Sequence, residues 1–291
     1  MGPGGNVYDA DSPEVSVIIL NFNKSDLTIK CVEAVRANTF ERRYEILVVD
    51  NGSIADEVRT LIDAGSSFRL IRLPENQYFG GGCNIGAQCS RGQYLVFLNN
   101  DAFVKSNWLE PLISALENYP DAGAAGPRIL NPDGGLQEAG AFIDGLGHPH
   151  QVGTIKAFHP HEELETRIVD YCSAACLAVP KRIFSELGGF DPIYSPGYYE
   201  DVDLCLKIAA TQRFVYYCSE SAVTHINNAT SNAVWSKAEL SQLTEGNRQK
   251  LLMRWDDWLR ARAENREVPF PTFEQSSGLV EAASISSFLS K

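Results

Sequence analysis

Four short apolar runs, separated by segments with helical spacing, constrain the fold of this chain most strongly. They are VSVIIL (Val15 to Leu20), YEILVVD (Tyr44 to Asp50), FRLIRL (Phe68 to Leu73) and YLVFLNN (Tyr94 to Asn100). Between them, apolar residues recur at the spacing of one helix face. Continuous apolar strands that alternate with helices are typical of a mostly parallel sheet covered on both faces. The sequence therefore predicts an α/β fold with a central sheet flanked by helices.

Three of these runs end on polar side chains, namely Asn21, Asp50 with Asn51, and Asn99 to Asp101. A single ending of this kind is commonly an Asx turn. In open α/β sheets, however, ligands bind outside the carboxyl ends of the strands. Three polar endings at one edge of the sheet therefore predict a binding site there.

Charge and composition exclude several classes of function. The 291 residues carry 25 Lys and Arg against 37 Asp and Glu, a net charge of −12 at pH 7, whereas nucleic-acid binding needs clustered positive charge. No apolar stretch reaches the roughly 18 to 20 residues of a membrane span, and the N-terminus lacks the pattern of a signal peptide. We therefore expect a cytoplasmic protein. The seven cysteines form no C-x-x-C pair, so neither zinc nor a disulfide framework is predicted.

Five motifs, in their order along the chain, resemble the family 2 glycosyltransferases, particularly the rhamnosyltransferase-like members. They are VSVIILNFN, EILVVDNGS, LPENQYFGGGCNIGA, YLVFLNNDAFV and GGFDPIYSPGYYEDVDLCLK, within Val15 to His225. The resemblance implies a GT-A fold that binds a nucleoside diphosphate sugar across the first half of the sheet. It also implies an inverting transfer of a sugar, with rhamnose as a candidate, to a hydroxyl of a glycan or lipid-linked glycan.

The resemblance also divides the chain into regions. We expect a flexible N-terminus over residues 1–13, the glycosyltransferase domain over 14–230, C-terminal helices over 231–263 and a largely irregular tail over 264–291. The Leu- and Trp-rich segment from Trp235 to Arg260 suits helices that pack on the core. Contact with a partner, in a homo-oligomer, or peripheral contact with the inner face of a membrane stay open as alternatives.

The donor contacts implied by the resemblance lie at the strand ends and in the glycine-rich stretch. Asn21 and Asp50 would contact the nucleoside, and a carboxylate accepts well from a uracil or thymine N3–H, which favours a dTDP or UDP sugar over GDP. Successive glycines ahead of a short helix let the backbone approach a ligand, and a flexible surface loop is the alternative. The further implied contacts are Asn76, Gly81, Gly82, Asn84, Asn99 and Asn100.

FLNNDAF occupies the position of the family's D-x-D motif, with Asn99 in place of the first Asp and Asp101 as the last. The resemblance implies that Asp101 binds a divalent metal, Mg²⁺ or Mn²⁺, which bridges the diphosphate oxygens. His225, in AVTHINN, is the candidate second ligand, and a structural histidine is the alternative. Because Asn99 is uncharged, we expect metal binding that is modest and depends on the nucleotide.

YYEDVD begins a helix with three acidic residues in four positions, more than the helix dipole requires. By resemblance, Asp201 is the general base that removes the proton of the acceptor hydroxyl, and Glu200 binds the acceptor. A helix N-terminus lowers the pKa of a carboxylate, so we expect a weak base that acts through its position. Residues 134–161, with His148, His150, His159 and His161, are interpreted as a mobile loop near the acceptor rather than a metal cluster.

Two other functions stay open. A sugar nucleotidyltransferase has a related sheet, but needs a glycine-rich, basic phosphate loop after its first strand, and NFNKSD is not such a loop. A non-catalytic nucleotide-sugar binding module would keep the fold and lose the chemistry. The presence of Asp101, Glu200 and Asp201 argues against that module.

Overall fold

A large mixed sheet organises residues 12–153, 164–226 and 235–264, which are the residues that the computed structural model describes. The first half of the chain contains β1 (Val15–Asn21), α1 (Ser25–Asn38), β2 (Tyr44–Asn51), α2 (Ala55–Asp63), β3 (Arg69–Leu73), α3 (Tyr78–Cys89), β4 (Tyr94–Asn99), β5 (Ala102–Val104) and α4 (Leu109–Asn118). The second half contains β6 (Ala122–Leu130), β7 (Leu136–Glu138), β8 (Ala141–Ile143), β9 (Pro149–Gln151), β10 (Arg167–Val169), β11 (Cys176–Pro180), α5 (Lys181–Glu186), a 3₁₀ turn (Pro192–Tyr194), α6 (Glu200–Ala210), β12 (Phe214–His225) and α7 (Lys237–Ala263).

The sheet has the strand order β10-β12-β6-β11-β4-β1-β2-β3, with β5 paired to β12 and β7 to β6. The strands β4, β1, β2 and β3 are parallel, as the sequence predicts. The second half is mixed because β11 runs antiparallel to both β4 and β6. In the register, Asn21 lies opposite Asp50, and Leu20 lies opposite Asn99. The polar strand ends therefore meet at one edge, which confirms that part of the prediction.

The central strands are continuously apolar because both faces of the sheet are buried. Ile18 and Leu47 belong to the core beneath α3 and α6, whereas their neighbours Ile19 and Val48 belong to the core beneath α1 and α4. Successive residues of a strand point to opposite faces, so each strand supplies both cores. These strands therefore do not alternate apolar and polar residues, as a strand with one solvent-facing side would.

The glycine-rich stretch differs from the prediction. Its glycines lie inside α3 rather than ahead of a helix. A Cβ atom at Gly82 would lie 2.4 Å from Cδ1 of Leu20, and one at Gly86 would lie 2.6 Å from Cγ2 of Ile18. At Gly81 the nearest atom would be Cβ of Gln77, at 3.0 Å. Gly82 and Gly86 thus allow α3 to pack closely against β1, whereas Gly81 lies against Gln77 at the start of the same helix.

The C-terminal region also differs in part from the prediction, because a single 27-residue helix, α7, stands where several helices were expected. It begins with a capping box in which Ser236 and Glu239 exchange hydrogen bonds. Residues 1–11, 154–163, 227–234 and 265–291 are not described. Most of the predicted flexible N-terminus therefore lies outside the described residues, and so does the predicted irregular tail beyond Glu264. His159 and His161 also lie outside them.

All seven cysteines are buried free thiols. Within residues 12–153, 164–226 and 235–264, no helix combines the length and the apolar character needed to cross a bilayer.

Candidate active site

A cleft of about 630 Å³ lies at the carboxyl ends of β1, β2 and β4. Its other walls come from β7, β9 and the turn that precedes α6. The predicted site residues that line the cleft are Asn76, Asn99, Asn100, Asp101, Glu200, Asp201 and His225. The predicted residues that do not line it are Asn21, Asp50, Gly81, Gly82 and Asn84.

Asp101 and His225 form a pair at the cleft wall. Antiparallel pairing of β5 with β12 places His225 opposite Ala102, and the ring Nε2 lies 3.1 Å from Oδ1 of Asp101. Nδ2 of Asn99 lies 3.3 Å from the same ring nitrogen. The described residues contain no group of three or more His, Cys, Asp or Glu side chains arranged to hold a metal. Asp101 and His225 therefore offer two donors, and other ligands would have to complete a metal site.

Asn21 and Asp50 lie behind the cleft wall, where each is almost fully buried. Nδ2 of Asn21 donates to Oδ1 of Asp50 at 2.9 Å, and Oδ1 of Asn21 accepts from the Thr28 hydroxyl at 2.7 Å. The same hydroxyl oxygen accepts from Nδ2 of Asn100 at 3.0 Å. This network ties the ends of β1, β2 and β4 together. Contact of Asn21 and Asp50 with a nucleoside stays a prediction.

Asn51, rather than Asp50, is the residue of β2 that lines the cleft. Its Nδ2 donates to Oδ1 of Asn76 at 2.9 Å and to the carbonyl of Tyr78 at 3.0 Å, and its Oδ1 accepts from the Gln77 N–H at 2.8 Å. Asn51 thus holds the turn that carries Asn76 and begins α3. The sequence shows Asn51 at a strand end, but adjacency alone does not tell which of Asp50 and Asn51 lines the cleft.

Asn84 lies in the core rather than at the cleft. Its Nδ2 donates to the carbonyl of Phe190 at 2.8 Å, and its Oδ1 accepts from the Phe190 N–H at 2.9 Å. The side chain is almost fully buried, so both polar ends serve to join α3 to the segment that leads to α6. The structure places Asn84 where it supports the site from outside the cleft.

Glu200 and Asp201 begin α6 and line the cleft. Oε2 of Glu200 is buried and accepts no hydrogen bond from any described residue. Oδ2 of Asp201 accepts from the Ala174 N–H at 3.1 Å, and Oδ1 accepts from the Val202 N–H at 2.9 Å. The two carboxyl groups therefore differ, since both oxygens of Asp201 are held by backbone N–H groups, whereas Oε2 of Glu200 has no hydrogen-bond partner among the described residues.

The expectation of a lowered pKa at this helix start is wrong. Burial raises the pKa of Glu200, and the charge of Asp201 raises it further. Burial also raises the pKa of Asp201, although backbone N–H groups oppose that shift. Loss of solvation disfavours the charged form of a carboxylate, and here it outweighs the helix N-terminus.

Glu138 is a third carboxylate of the cleft that the sequence did not single out. It is 1% exposed, its Oε1 accepts from the Ser173 N–H at 2.9 Å, and its Oε2 accepts from Nε2 of Gln151 at 2.9 Å. Burial raises the pKa of Glu138 to about 7, with a smaller upward contribution from Asp201. The strand β7 has three residues in a glycine-rich segment, too short for any periodic signal.

His150 also lines the cleft, and it lies in the β8–β9 hairpin rather than in an irregular loop. Its Nε2 lies 2.9 Å from Oδ2 of Asp144, and its ring stacks on Phe142 at 5.0 Å between centroids. Nδ1 of His148 lies 3.4 Å from the same Asp144 oxygen. These contacts stabilise the hairpin beside the carboxyl groups of Glu138, Glu200 and Asp201.

Acidic side chains predominate over basic ones in the described lining of the cleft. Its described lining contains four carboxylate side chains and neither Lys nor Arg, namely Asp101, Glu138, Glu200 and Asp201. A bound diphosphate would therefore meet no permanently cationic side chain from that lining. A divalent cation would meet this need.

Comparison with known proteins identifies the family. Residues 16–186 match the model for glycosyl transferase family 2. The O-antigen biosynthesis protein RfbC of Myxococcus xanthus is 30% identical over 231 residues, which are 76% of this chain and 18% of that protein. The N-acetylglucosaminyl-diphospho-decaprenol L-rhamnosyltransferase of Mycobacterium tuberculosis is 26% identical over 207 residues, which are 64% of this chain and 67% of that enzyme.

A solved structure shares the fold. GalNAc-T7 with UDP, GalNAc and Mn²⁺ aligns with a TM-score of 0.65 and 20% identity, over 88% of this chain and 51% of that chain. RfbC is several times longer than the region it shares with this chain. The family match covers more than half of the chain and includes the cleft residues from β1 to β11. This chain belongs to glycosyltransferase family 2 and has the GT-A fold.

Proposed function

We propose that this chain is a metal-dependent, inverting glycosyltransferase that moves a sugar from a nucleoside diphosphate to an acceptor hydroxyl. The observation that carries the proposal is that one cleft contains both the Asp101–His225 pair and the Glu200–Asp201 pair. The first pair suits a metal-bound diphosphate, and the second suits an acceptor that must lose a proton.

Mg²⁺ or Mn²⁺ fits the donor set of Asp101 and His225. The carboxylate oxygen of Asp101 suits either ion, the imidazole nitrogen of His225 is a softer donor that favours the transition metal Mn²⁺ over Mg²⁺, and diphosphate oxygens and water would supply the remaining ligands. Such an ion stabilises the charge on the leaving diphosphate. The lack of Lys and Arg in the described cleft lining supports this assignment. It also disfavours a nucleotidyltransferase, since a triphosphate substrate needs more positive charge than a diphosphate.

The donor is expected along the wall formed by Asn51, Asn76 and Tyr78, with Asn99 and Asn100 beside the metal pair. Tyr78 is 47% exposed, so its ring is available to the nucleotide. Asn21 and Asp50 lie directly behind this wall, and Gly82 and Asn84 set the position of α3. We retain the preference for a dTDP or UDP sugar that the family resemblance implies.

Inversion follows from a single displacement. The acceptor oxygen forms a bond to the anomeric carbon while the bond from that carbon to the diphosphate oxygen breaks. Asp201 takes the proton of the acceptor hydroxyl, and Glu200, next to it in the cleft lining, forms a hydrogen bond with the acceptor. The raised pKa of Asp201 suits the role of base, because a base is more effective when its pKa is closer to the working pH.

Rhamnose is the proposed sugar, and a lipid-linked glycan the proposed acceptor. Two relatives, an O-antigen biosynthesis protein and an N-acetylglucosaminyl-diphospho-decaprenol L-rhamnosyltransferase, support this choice. An acceptor of that kind would bring the protein to the inner face of the membrane by peripheral contact.

The first experiment is a calorimetric titration with dTDP, UDP and GDP, with and without Mn²⁺. We expect tighter binding of a pyrimidine diphosphate and a requirement for the metal. Transfer from dTDP-rhamnose to an N-acetylglucosaminyl-diphospho-lipid then tests the reaction, with the product anomer assigned by NMR. A clear preference for GDP, or a product that keeps the donor's anomeric configuration, would contradict the proposal.

A further inference from the structure

The turn ahead of α6 has an unusual backbone beside the carboxylates of the cleft. Tyr198 and Tyr199 have φ angles of 72° and 76°, and both line the cleft together with Pro196 and Gly197. Two consecutive residues with side chains in the left-handed region are unfavourable and persist only where the surrounding structure holds them. The position of this acceptor-side wall therefore depends on contacts from elsewhere in the chain.

Asn247 of α7 makes those contacts. Its side chain is fully buried, and its Nδ2 lies 2.7 Å from the carbonyl oxygen of Tyr194, 2.8 Å from that of Gly197 and 3.0 Å from that of Tyr198. Its Oδ1 accepts from Nζ of Lys250 at 2.8 Å. A single amide nitrogen thus contacts three carbonyl oxygens of the turn.

The position of Asn247 is itself fixed, because α7 is joined to α6 by buried charge. Nη1 of Arg254 lies 2.8 Å from Oδ1 of Asp203, and Nε1 of Trp255 donates to the same oxygen at 2.9 Å. Nζ of Lys207 lies 2.8 Å from Oδ2 of Asp203, which is itself fully buried. A helix held in this way offers Asn247 at a defined place relative to Glu200 and Asp201.

We propose that Asn247 is a positioning residue for the acceptor: it holds the Tyr198–Tyr199 turn so that the acceptor hydroxyl meets Asp201. The inference rests on the proposed function, since it names which part of the chain shapes the acceptor side of that site. It also gives a role to α7, which lies outside residues 16–186 that match the family model. The donor wall has no part in these contacts.

The test uses the full chain and two substitutions. Asn247→Asp keeps the shape but replaces the donating amide with a carboxylate that repels the three carbonyls, and Asn247→Ala removes the contacts without adding charge. Gln242→Glu makes the same chemical change as Asn247→Asp at an exposed position of α7 and is the matched control. Hydrogen exchange of the peptide that contains Gly197 and Tyr198 reports the order of the turn, because the Gly197 N–H donates to the carbonyl of Tyr194 at 3.0 Å.

We expect hydrogen exchange in that peptide to be faster in both Asn247 variants than in the unsubstituted protein. In the Gln242→Glu control, we expect the exchange rate to be unchanged. Binding of dTDP or UDP with Mn²⁺ should stay within about twofold of the unsubstituted protein, which also shows that the variants fold. KM for the N-acetylglucosaminyl-diphospho-lipid should rise by roughly tenfold, the effect of one lost hydrogen bond, with a smaller change in kcat.

Unchanged exchange of the turn, or a loss of nucleotide affinity that matches the loss of activity, would overturn the proposal. If the unsubstituted protein transfers no sugar to the lipid, that result counts against the proposed function alone. The exchange of the turn and the affinity for nucleotide then decide the role of Asn247.

Discussion

Oδ1 of Asp101 lies 3.1 Å from Nε2 of His225, although 124 positions separate the two residues in the chain. The contact follows from the pairing of β5 with β12, and the Ile226 N–H closes it by donating to the carbonyl of Asp101 at 3.0 Å. Two secondary-structure elements therefore set the spacing of these donors. If the two side chains bind a metal as proposed, small changes in either of them should alter metal binding without altering the sheet.

The first prediction concerns Asp101→Asn, which keeps the shape of the side chain and removes its charge. We expect the Mn²⁺-dependent part of nucleotide diphosphate binding to weaken by at least about tenfold, because the carboxylate would be the charged ligand of the proposed pair. Calorimetric titration with and without Mn²⁺ measures the change. Asp63→Asn, at an exposed position of α2, is the control. Retention of the full metal dependence in Asp101→Asn would show that Asp101 has only a structural role.

The second prediction concerns Asp201→Asn. Removing the proton acceptor should lower kcat by about 10²- to 10⁴-fold, the range of general-base contributions. Nucleotide affinity should barely change. Asp201 is held by the backbone of Ala174 and Val202, whereas the proposed donor wall is formed by other residues, Asn51, Asn76 and Tyr78. Transfer kinetics and calorimetry on the same preparation separate the two effects. Near-normal turnover would show that Asp201 is not the base.

Glu200→Gln is the companion substitution. Because Oε2 of Glu200 has no hydrogen-bond partner among the described residues, we expect the change at that atom to affect the acceptor first. KM for the acceptor should rise more than kcat falls. The opposite result, a loss of kcat as large as that predicted for Asp201→Asn with an unchanged KM, would move the role of base to Glu200.

The contrast between Asp50 and Asn51 shows where prediction from sequence ends. The apolar runs and helical spacing identify the parallel strands and the edge where their polar residues meet, because these depend on local periodicity. Which of two adjacent residues faces the ligand depends on the pleat and on the neighbouring Asn76 turn. Asn84 is polar and lies in a recognised motif. Its amide nitrogen and its amide oxygen nevertheless both form hydrogen bonds with the backbone of Phe190, 106 positions away.

The carboxylates of α6 show a second limit. A helix start is visible in the sequence, so its effect on pKa is expected, but burial by β7, β9 and the Ser173–Ala174 turn is a tertiary property. Successive N–H groups of that turn donate to Glu138 and to Asp201. Nothing in the spacing of residues 138, 173 and 201 indicates this arrangement.

The third prediction concerns the pH dependence of stability in Glu138→Gln. The folded-state pKa of Glu138, about 7, lies above its ordinary 4.5, so the unfolded chain releases this proton first as pH rises. The unsubstituted protein therefore loses stability between about pH 4.5 and 7, by up to roughly 3 kcal/mol at 1.36 kcal/mol per unit. The Gln variant lacks this loss and should become relatively more stable over the same range.

Urea unfolding at several pH values between about 4.5 and 8 measures this difference. Glu33→Gln, at an exposed position of α1, should give a difference from the unsubstituted protein that does not vary with pH. If the stability difference for Glu138→Gln is as independent of pH as that for Glu33→Gln, burial does not raise the pKa of Glu138. The position of Glu138 beside Asp201 then has no electrostatic consequence for stability.

The last prediction compares two glycines that both lie inside helices. A Cβ atom at Gly86 of α3 would lie 2.6 Å from Cγ2 of Ile18 and 3.0 Å from Cγ2 of Val49, whereas one at Gly246 of α7 would meet nothing within 4 Å. Gly86→Ala should therefore destabilise the fold by about 1 to 3 kcal/mol through overpacking. Gly246→Ala should stabilise it by about 0.5 to 1 kcal/mol, because alanine has the higher helix propensity. Chemical unfolding of both variants measures the two changes. Stabilisation by Gly86→Ala would mean that α3 does not need its close approach to β1, and that the glycine-rich motif has another reason to lack side chains.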